Sequence, residues 1–462
     1  MLLANNYSYL FSIKTWNLEM GKNEPQSGEW SIDIGRENNS EEILEPASDC
    51  CIYRVPQFIR NINEDAYTPK LISIGPLHYG RQELMGMEEQ KRRYWTKFGE
   101  RVSVRKLEEF ETYIKIQEKH ICDHYSVSSK FSSSKYVSII LYDAVFIIEL
   151  LVRNFELSPE DFLLDKSQLK TYIMLDLLLL ENQLPYFVLN DLYSLAFPSG
   201  RGNPSFFTLS LNFFQSMTMF NWSFSEQPQP KHFTDFLRRA VVMEAQPPML
   251  QPNKETSKLL SGEILDLPSA TKLNESGLRF KGTKGKCLLD ISMVKTKRRK
   301  WLPWFEVNEV QIPRIEIYDE TECLLRNLMV LEVFHYPTQT YVCNYADLMD
   351  YLINTAEDVD LLAEKEIIGN CVGDNEAIAK MFNTLCSRIT PSESCFHGIA
   401  DKMKTHYDNR WNLAKATLRR VYFNNVWTGN ATIAASLLLI LTAIQAICSI
   451  IQVLQEAIKN KH

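Results

Sequence analysis

The 462-residue chain has no C-x2-C pair, no P-loop, no G-x-G-x-x-G, no G-x-S-x-G and no zinc-finger spacing. These gaps remove the short-range signatures of nucleotide cradles, nucleophile elbows and structural zinc. The nearest match to a P-loop, Gly282-Thr283-Lys284-Gly285-Lys286, is too short to cradle a phosphate. Dispersed catalytic groups stay open, because triads gather residues from distant positions. A basic surplus is also missing: net charge is −7, so the footprint of a nucleic-acid binder is absent. No repeat recurs at solenoid periods. The N-terminus lacks a basic n-region, and Asn5, Asn6 and Ser8 interrupt any apolar run there, so no cleaved signal peptide is expected. The ten cysteines are irregularly spaced, with Cys50 and Cys51 adjacent. Neighbours do not meet disulfide geometry easily, which reads as reduced, structural cysteines.

What is there is ordinary globular composition, 45% apolar and 23% charged. That excludes a chain disordered throughout, a collagen-like chain and a multi-span membrane protein. Residues 1–50 hold nine acids and three bases. Residues 1–48 are thus expected to form an acidic, disordered tail. Residues 49–425 are expected to form one mainly helical domain. A Pro/Gln-rich linker or loop lies within it at about 223–258.

Helical spacing runs from Met87 to Lys119, with Tyr94, Phe98, Val102, Leu107, Phe110 and Ile114 on one face. Val137–Asn154 is apolar nearly all round and predicts a buried helix. Leu169–Leu180 predicts a third helix, stopped by Pro185. Residues 204–222 are rich in aromatics. Alternation over 287–293 and 305–317 predicts a small β element, and helical patterning returns from Thr321 to about Asn424. The fold class is therefore mainly α, an α+β chain with a small β element, followed by one C-terminal transmembrane helix.

That last helix rests on Ala431–Val453, 23 residues without a charge. It would span about 35 Å as a helix, against a hydrocarbon core of about 30 Å. Trp427 precedes it at an interfacial position. The anchor is placed at 427–455, and nine residues after Val453 give the pattern of a tail anchor. Lys415, Arg419 and Arg420 on one side against Lys459 and Lys461 on the other favour a cytosolic main domain. Within the span, Ala431, Ala435, Thr442, Gln445, Ser449 and Gln452 form a small and polar seam. Such groups prefer another helix to lipid, so pairing of two copies through this seam is expected. Membrane lipid is the first partner expected. Five N-x-[ST] sequons, at Asn6, Asn38, Asn221, Asn274 and Asn430, offer a test of topology.

Other constellations have plain readings. Glu149 in VFIIELLV pairs at i,i+4 with Arg153. Glu181-Asn182-Gln183 before Leu184-Pro185 supplies amide donors where the helix ladder stops. His120 and His124 share a helix face but lack the Glu of H-E-x-x-H, and read as a solvated helix end. Lys295–Lys300 reads as a hairpin tip, with anionic lipid as the sharper alternative. No catalytic, cofactor or metal residues are assigned.

Several runs, in order, resemble the plant family known as "domain of unknown function 247". They are Ile52-Tyr53-Arg54-Val55-Pro56, Ala66-Tyr67-Thr68-Pro69, Ser73-Ile74-Gly75-Pro76 with His78 and Gly80, and Met87-Glu88 with Lys91 and Tyr94. Leu178 to Leu189, containing Glu181, Asn182, Gln183 and Pro185, continues the match. Pro268-Ser269-Ala270-Thr271, Ile312-Pro313, Arg326-Asn327-Leu328 and Tyr422-Phe423 complete it. Departures are Tyr79 where a second histidine is usual, Asp143-Ala144-Val145-Phe146 for Asp-Gly-Cys before Phe, and Val426 in the tail. The resemblance implies a plant protein with a helical domain, a C-terminal membrane helix and no established activity. It also implies a recognition role, because some grass members look like self-incompatibility determinants. A protein or peptide partner is therefore the leading expectation. The alternative is an enzyme with a deep pocket of carboxylates around His78. Membrane permeation by assembled anchors is a third reading.

Overall fold

The computed structural model describes residues 46–157, 161–198, 202–215, 217, 226–242, 262–284, 287–297, 306–389, 393–414, 417 and 426–459. Of the expected acidic tail 1–48, residues 1–45 lie outside them, as do Phe220, Trp222, 243–261 and 298–305.

The first half is built around one helix. α1 (Met85–Val102) and α2 (Val104–Asp123) both pack on α3 (Ser133–Glu156). The 87–119 pattern is thus two helices and not one. Ser103, at φ 94°, breaks the ladder between them. The expected shared face survives the break, with Tyr94, Phe98, Leu107, Phe110 and Ile114 all buried. α3 is buried on nearly every side, as its composition requires, and ends where Leu157 turns left-handed at φ 51°. α4 (Ser167–Asp176) stops well before Pro185, so the leucine run 177–180 is a buried turn and not the end of a helix. Pro185 instead begins α5 (Tyr186–Ala196), where its fixed φ and missing N–H suit a helix start. α6 (Phe206–Phe214) buries Phe206, Phe207, Phe213 and Phe214.

α7 (Phe233–Val242) corrects the linker reading for its residues. It is a buried helix carrying Asp235 and Arg238 inward. The small β element is a three-stranded sheet, β1 (Arg279–Thr283), β2 (Ser292–Lys297) and β3 (Glu306–Pro313), in the order β1-β3-β2. β1 runs parallel and β2 antiparallel to β3. Lys295 and Lys297 therefore lie in a strand opposite Asn308 and Glu306, not at a tip. β4 (Ile315–Ile317) pairs in parallel with β5 (Ile368–Asn370) as a second sheet.

α8 (Thr321–His335) is the centre of the second half. It contacts α7, α9 (Tyr341–Leu352) and α11 (Asn375–Leu385). α10 (Ala356–Glu364) opens on a capping box between Thr355 and Asp358, and α12 (His397–Asp408) follows β5 and α11. One apolar cluster runs continuously from Cys51 to Met403. All ten cysteines are free. α13 (Val426–Lys459) is a 34-residue helix. Its stretch Asn430–Val453 is long and apolar enough to cross a membrane, and none of it is buried against the rest of the chain.

Candidate functional site

The segment from residue 50 to 84 has few regular hydrogen bonds of its own. Its three prolines, Pro56, Pro69 and Pro76, forbid a long helix. Buried backbone groups must then find side-chain partners. They find them in the turn that follows α4, and this is where the motif residues converge.

Asp176, at the last position of α4, accepts the N–H groups of Lys70, Leu71 and Ile72 at 2.9, 2.7 and 2.8 Å. Asn182 accepts from Ile74 N–H at 2.7 Å and donates to the carbonyls of Ile72 and Asp176, both at 2.9 Å. Gln183 donates to the carbonyls of Leu177 and Leu179, both at 2.7 Å, and accepts from Phe233 N–H at 2.8 Å. The amides thus satisfy the last carbonyl of α4 and two carbonyls of the turn after it, and also tie in residues 72–74 and α7.

Glu181 gathers a second set. It accepts Val55 N–H at 2.6 Å, pairs with Arg60 at 2.5 Å, and lies 3.2 Å from His78 Nε2. Burial pushes its carboxyl upward, but His78, Arg60 and Val55 outweigh that and hold it below the ordinary glutamate range. His78 is itself buried, so it faces Glu181 inside the protein and not an open pocket.

The third set centres on Lys91. Its Nζ donates to Ser73 O at 2.6 Å, to Glu88 Oε1 at 2.7 Å and to Asp143 Oδ1 at 2.6 Å. The other oxygen of Asp143 accepts Gly75 N–H at 2.8 Å. Burial depresses Lys91, yet the two carboxylates outweigh it and raise it above the ordinary range. Burial pushes Asp143 up, against Lys91 and the Gly75 N–H. Gly75 sits at φ 72°, and a Cβ there would lie 2.6 Å from Gln183 O. Both facts require glycine.

The remaining motif residues frame this layer. Tyr53 donates to Cys50 O at 2.9 Å and stacks on Phe334. Arg54 holds Ser126 through its backbone N–H while its side chain is exposed. Pro56 starts a short helix, and Gly80 turns the chain at φ 86°. Pro76 lines a small cleft with Cys122, Tyr125 and Tyr136. Asn327 closes the layer from α8: it accepts Leu180 N–H at 2.9 Å and donates to Ala66 O at 2.7 Å.

Sequence reasoning missed Asp143, Asp176 and Arg60 as members. For the two acids, the signal in the sequence is a lone carboxylate in an apolar run, the same pattern that marks Glu149. There the expected Arg153 pair forms at 2.7 Å, extended by Arg101 and Asp161. Also missed was the pair of α7 and α8, Arg238–Glu332 at 2.9 Å, with Arg238 over the Tyr336 ring. The solvated reading of the two histidines holds for His120. His124 is buried, donates from Nδ1–H to His120 O at 2.8 Å, and packs with His120 on Phe187. Among the described residues, no three His, Cys, Asp or Glu side chains are grouped to hold a metal. The seam residues of α13 all lie exposed on one helix face, within an arc of about 100°. Thr442 donates to Leu438 O at 2.8 Å.

These features define a class: a mainly helical protein whose signature residues knit an irregular N-terminal segment into the core. The chain belongs to the plant family "domain of unknown function 247", described as a plant protein of unknown function, which matches residues 52–441. It is similar to the UPF0481 protein At3g47200 of Arabidopsis thaliana, 27% identical over 446 residues, covering 90% of this chain and 89% of that one. The putative UPF0481 protein At3g02645 of the same plant is 23% identical over 494 residues, covering 85% and 89%. No solved structure matches.

Proposed function

We propose that this chain is a membrane-anchored, non-catalytic recognition or signalling protein. Residues 49–425 form its main domain, facing the cytosol, and 427–455 its anchor. The observation that carries the reading is Asn430–Val453, a 24-residue apolar helix left uncovered by the domain. In water, exposed leucines and isoleucines such as Leu439 and Ile450 cost free energy that a bilayer removes. The side chains of Lys91, Glu181, Asn182 and Gln183 support the non-catalytic half of the reading, since they are spent on backbone groups and buried ion pairs. Contact with a protein or peptide partner then falls to the surface, and self-recognition of the kind attributed to grass relatives is one form of it. The seam of Ala431, Ala435, Thr442, Gln445, Ser449 and Gln452 would pair two copies in the membrane.

The test is a glycosylation map in plant cells, with an N-x-[ST] tag added after His462 and a second form lacking 430–462. The expected result is a glycosidase-sensitive shift from the added tag alone, with the shortened form released by carbonate. Modification at Asn38 or Asn221 without the tag would reverse the orientation and make the main domain an ectodomain. Release of the full chain by carbonate would remove the anchor.

A further inference from the structure

Lys91 holds its amine within 2.7 Å of two carboxylates, those of Asp143 and Glu88. We propose that Lys91 and Asp143 condense within the folded protein, forming an Nζ–Cγ amide that joins α1 to α3, with Glu88 as the proton carrier. The inference is independent of the membrane reading.

The geometry sets out each part of the step. Lys91 Nζ lies 2.6 Å from Asp143 Oδ1, and both side chains are almost wholly buried. Two helices packed on each other hold them there, so the amine and acid meet at the high effective concentration of an intramolecular pair. Glu88 meets the same Nζ at 2.7 Å and is a fifth exposed, which links the pair to solvent. Gly75 N–H already points at Asp143 Oδ2, where negative charge develops when the carbonyl carbon is attacked. One turn further along both helices, the Tyr94 and Phe146 rings pack at 4.9 Å and bound the site with apolar surface.

The atoms balance without a co-reactant. Glu88 carries a proton from the Lys91 ammonium to Asp143 Oδ1, and the free amine attacks Cγ of the neutral acid. Oδ2 carries the negative charge of the tetrahedral intermediate against Gly75 N–H. Glu88 then carries a second amine proton to Oδ1. The C–Oδ1 bond breaks and one water leaves. An ammonium and a carboxylate become a neutral amide, so the burial of two charges, costly even when paired, is removed.

The test is mass spectrometry of the full chain, purified in detergent. Expected is an intact mass 18 Da below the sum of the residues, and a branched tryptic peptide joining the Lys91 and Asp143 segments, with no cut after Lys91. Lys91→Arg keeps the charge but cannot condense, so it should restore the full mass. Glu88→Gln should leave most of the protein unjoined while its circular dichroism stays native, which separates lost chemistry from lost folding. A linear peptide ending at Lys91 from wild-type protein with native circular dichroism would overturn the proposal.

Discussion

Asn182 and Gln183 each use both ends of one amide, and neither is exposed. At the residue scale, the strongest dependence is on Glu181. Glu181→Ala leaves Arg60 and the Val55 N–H buried without their acceptor. Loss of a partner of this kind costs about 3–5 kcal/mol. Glu181→Gln keeps an acceptor and should cost clearly less. Denaturant titrations of the two variants against wild type check the order. Gly75→Ala meets two obstacles, a positive φ and the Gln183 carbonyl. The backbone cost alone is about 1–3 kcal/mol, read as a lower unfolding midpoint. The run Glu181-Asn182-Gln183 was legible as a break in the helix because Pro185 forbids its continuation. That α4 ends already at Asp176 and that Pro185 opens α5 were not legible. Nor was the run's second duty, holding residues more than 100 positions earlier. Local pattern carries no information about which distant carbonyl a side chain will reach.

At the scale of elements, α3 was plain from its sequence, since an apolar run long enough for a helix has few other solutions. The break at Ser103 was not, because the helical pattern continues on both sides of it. Ser103 holds φ 94° and ψ 152°, a region that suits glycine. Ser103→Gly should therefore raise stability by about 1 kcal/mol, the relieved strain exceeding the added freedom of the unfolded chain. A thermal melt with a higher midpoint would show it. α7 was hidden by the prolines and glutamines around it, although its own residues alternate charge and bulk at helical spacing. In α13, Gln445→Leu with Ser449→Leu should reduce cross-linked dimer in membranes. The single change Leu439→Ile, outside the seam arc, should leave it unchanged.

At the scale of the whole molecule, opposed titrations meet in one pH range. Burial lifts Asp176 to about 6 and Glu332 to about 7. Stability from such raised carboxyls is fully present below their unfolded values of about 4, and is lost as pH rises through 6–7. Burial lowers His232 to about 4. Its contribution is present above about 6.5 and is lost as pH falls toward 4. Burial also lowers His124 and His335. Between pH 5 and 6 the two groups oppose each other, so the unfolding midpoint should change little. His232→Asn weakens one side by its most strongly lowered histidine, and its midpoint should rise relative to wild type as pH is lowered across that window. Below pH 4, Glu181 and Asp161, held low by their cation partners against burial, should bring acid unfolding.

One hydrogen bond also sets a clock for synthesis. Asn327 reaches back across 261 residues to Ala66, and Asp176 across 104 to Ile72. At about 5–20 residues per second, a ribosome delivers Asn327 roughly 13–52 s after Ala66. Until then Ile72 and Ile74, both destined for the interior, have no finished surface to lie against. The emerging N-terminal block is thus a client for holding chaperones before it is a domain. A ribosome stalled between residues 100 and 170 should leave it open to protease, and one stalled past residue 400 should not.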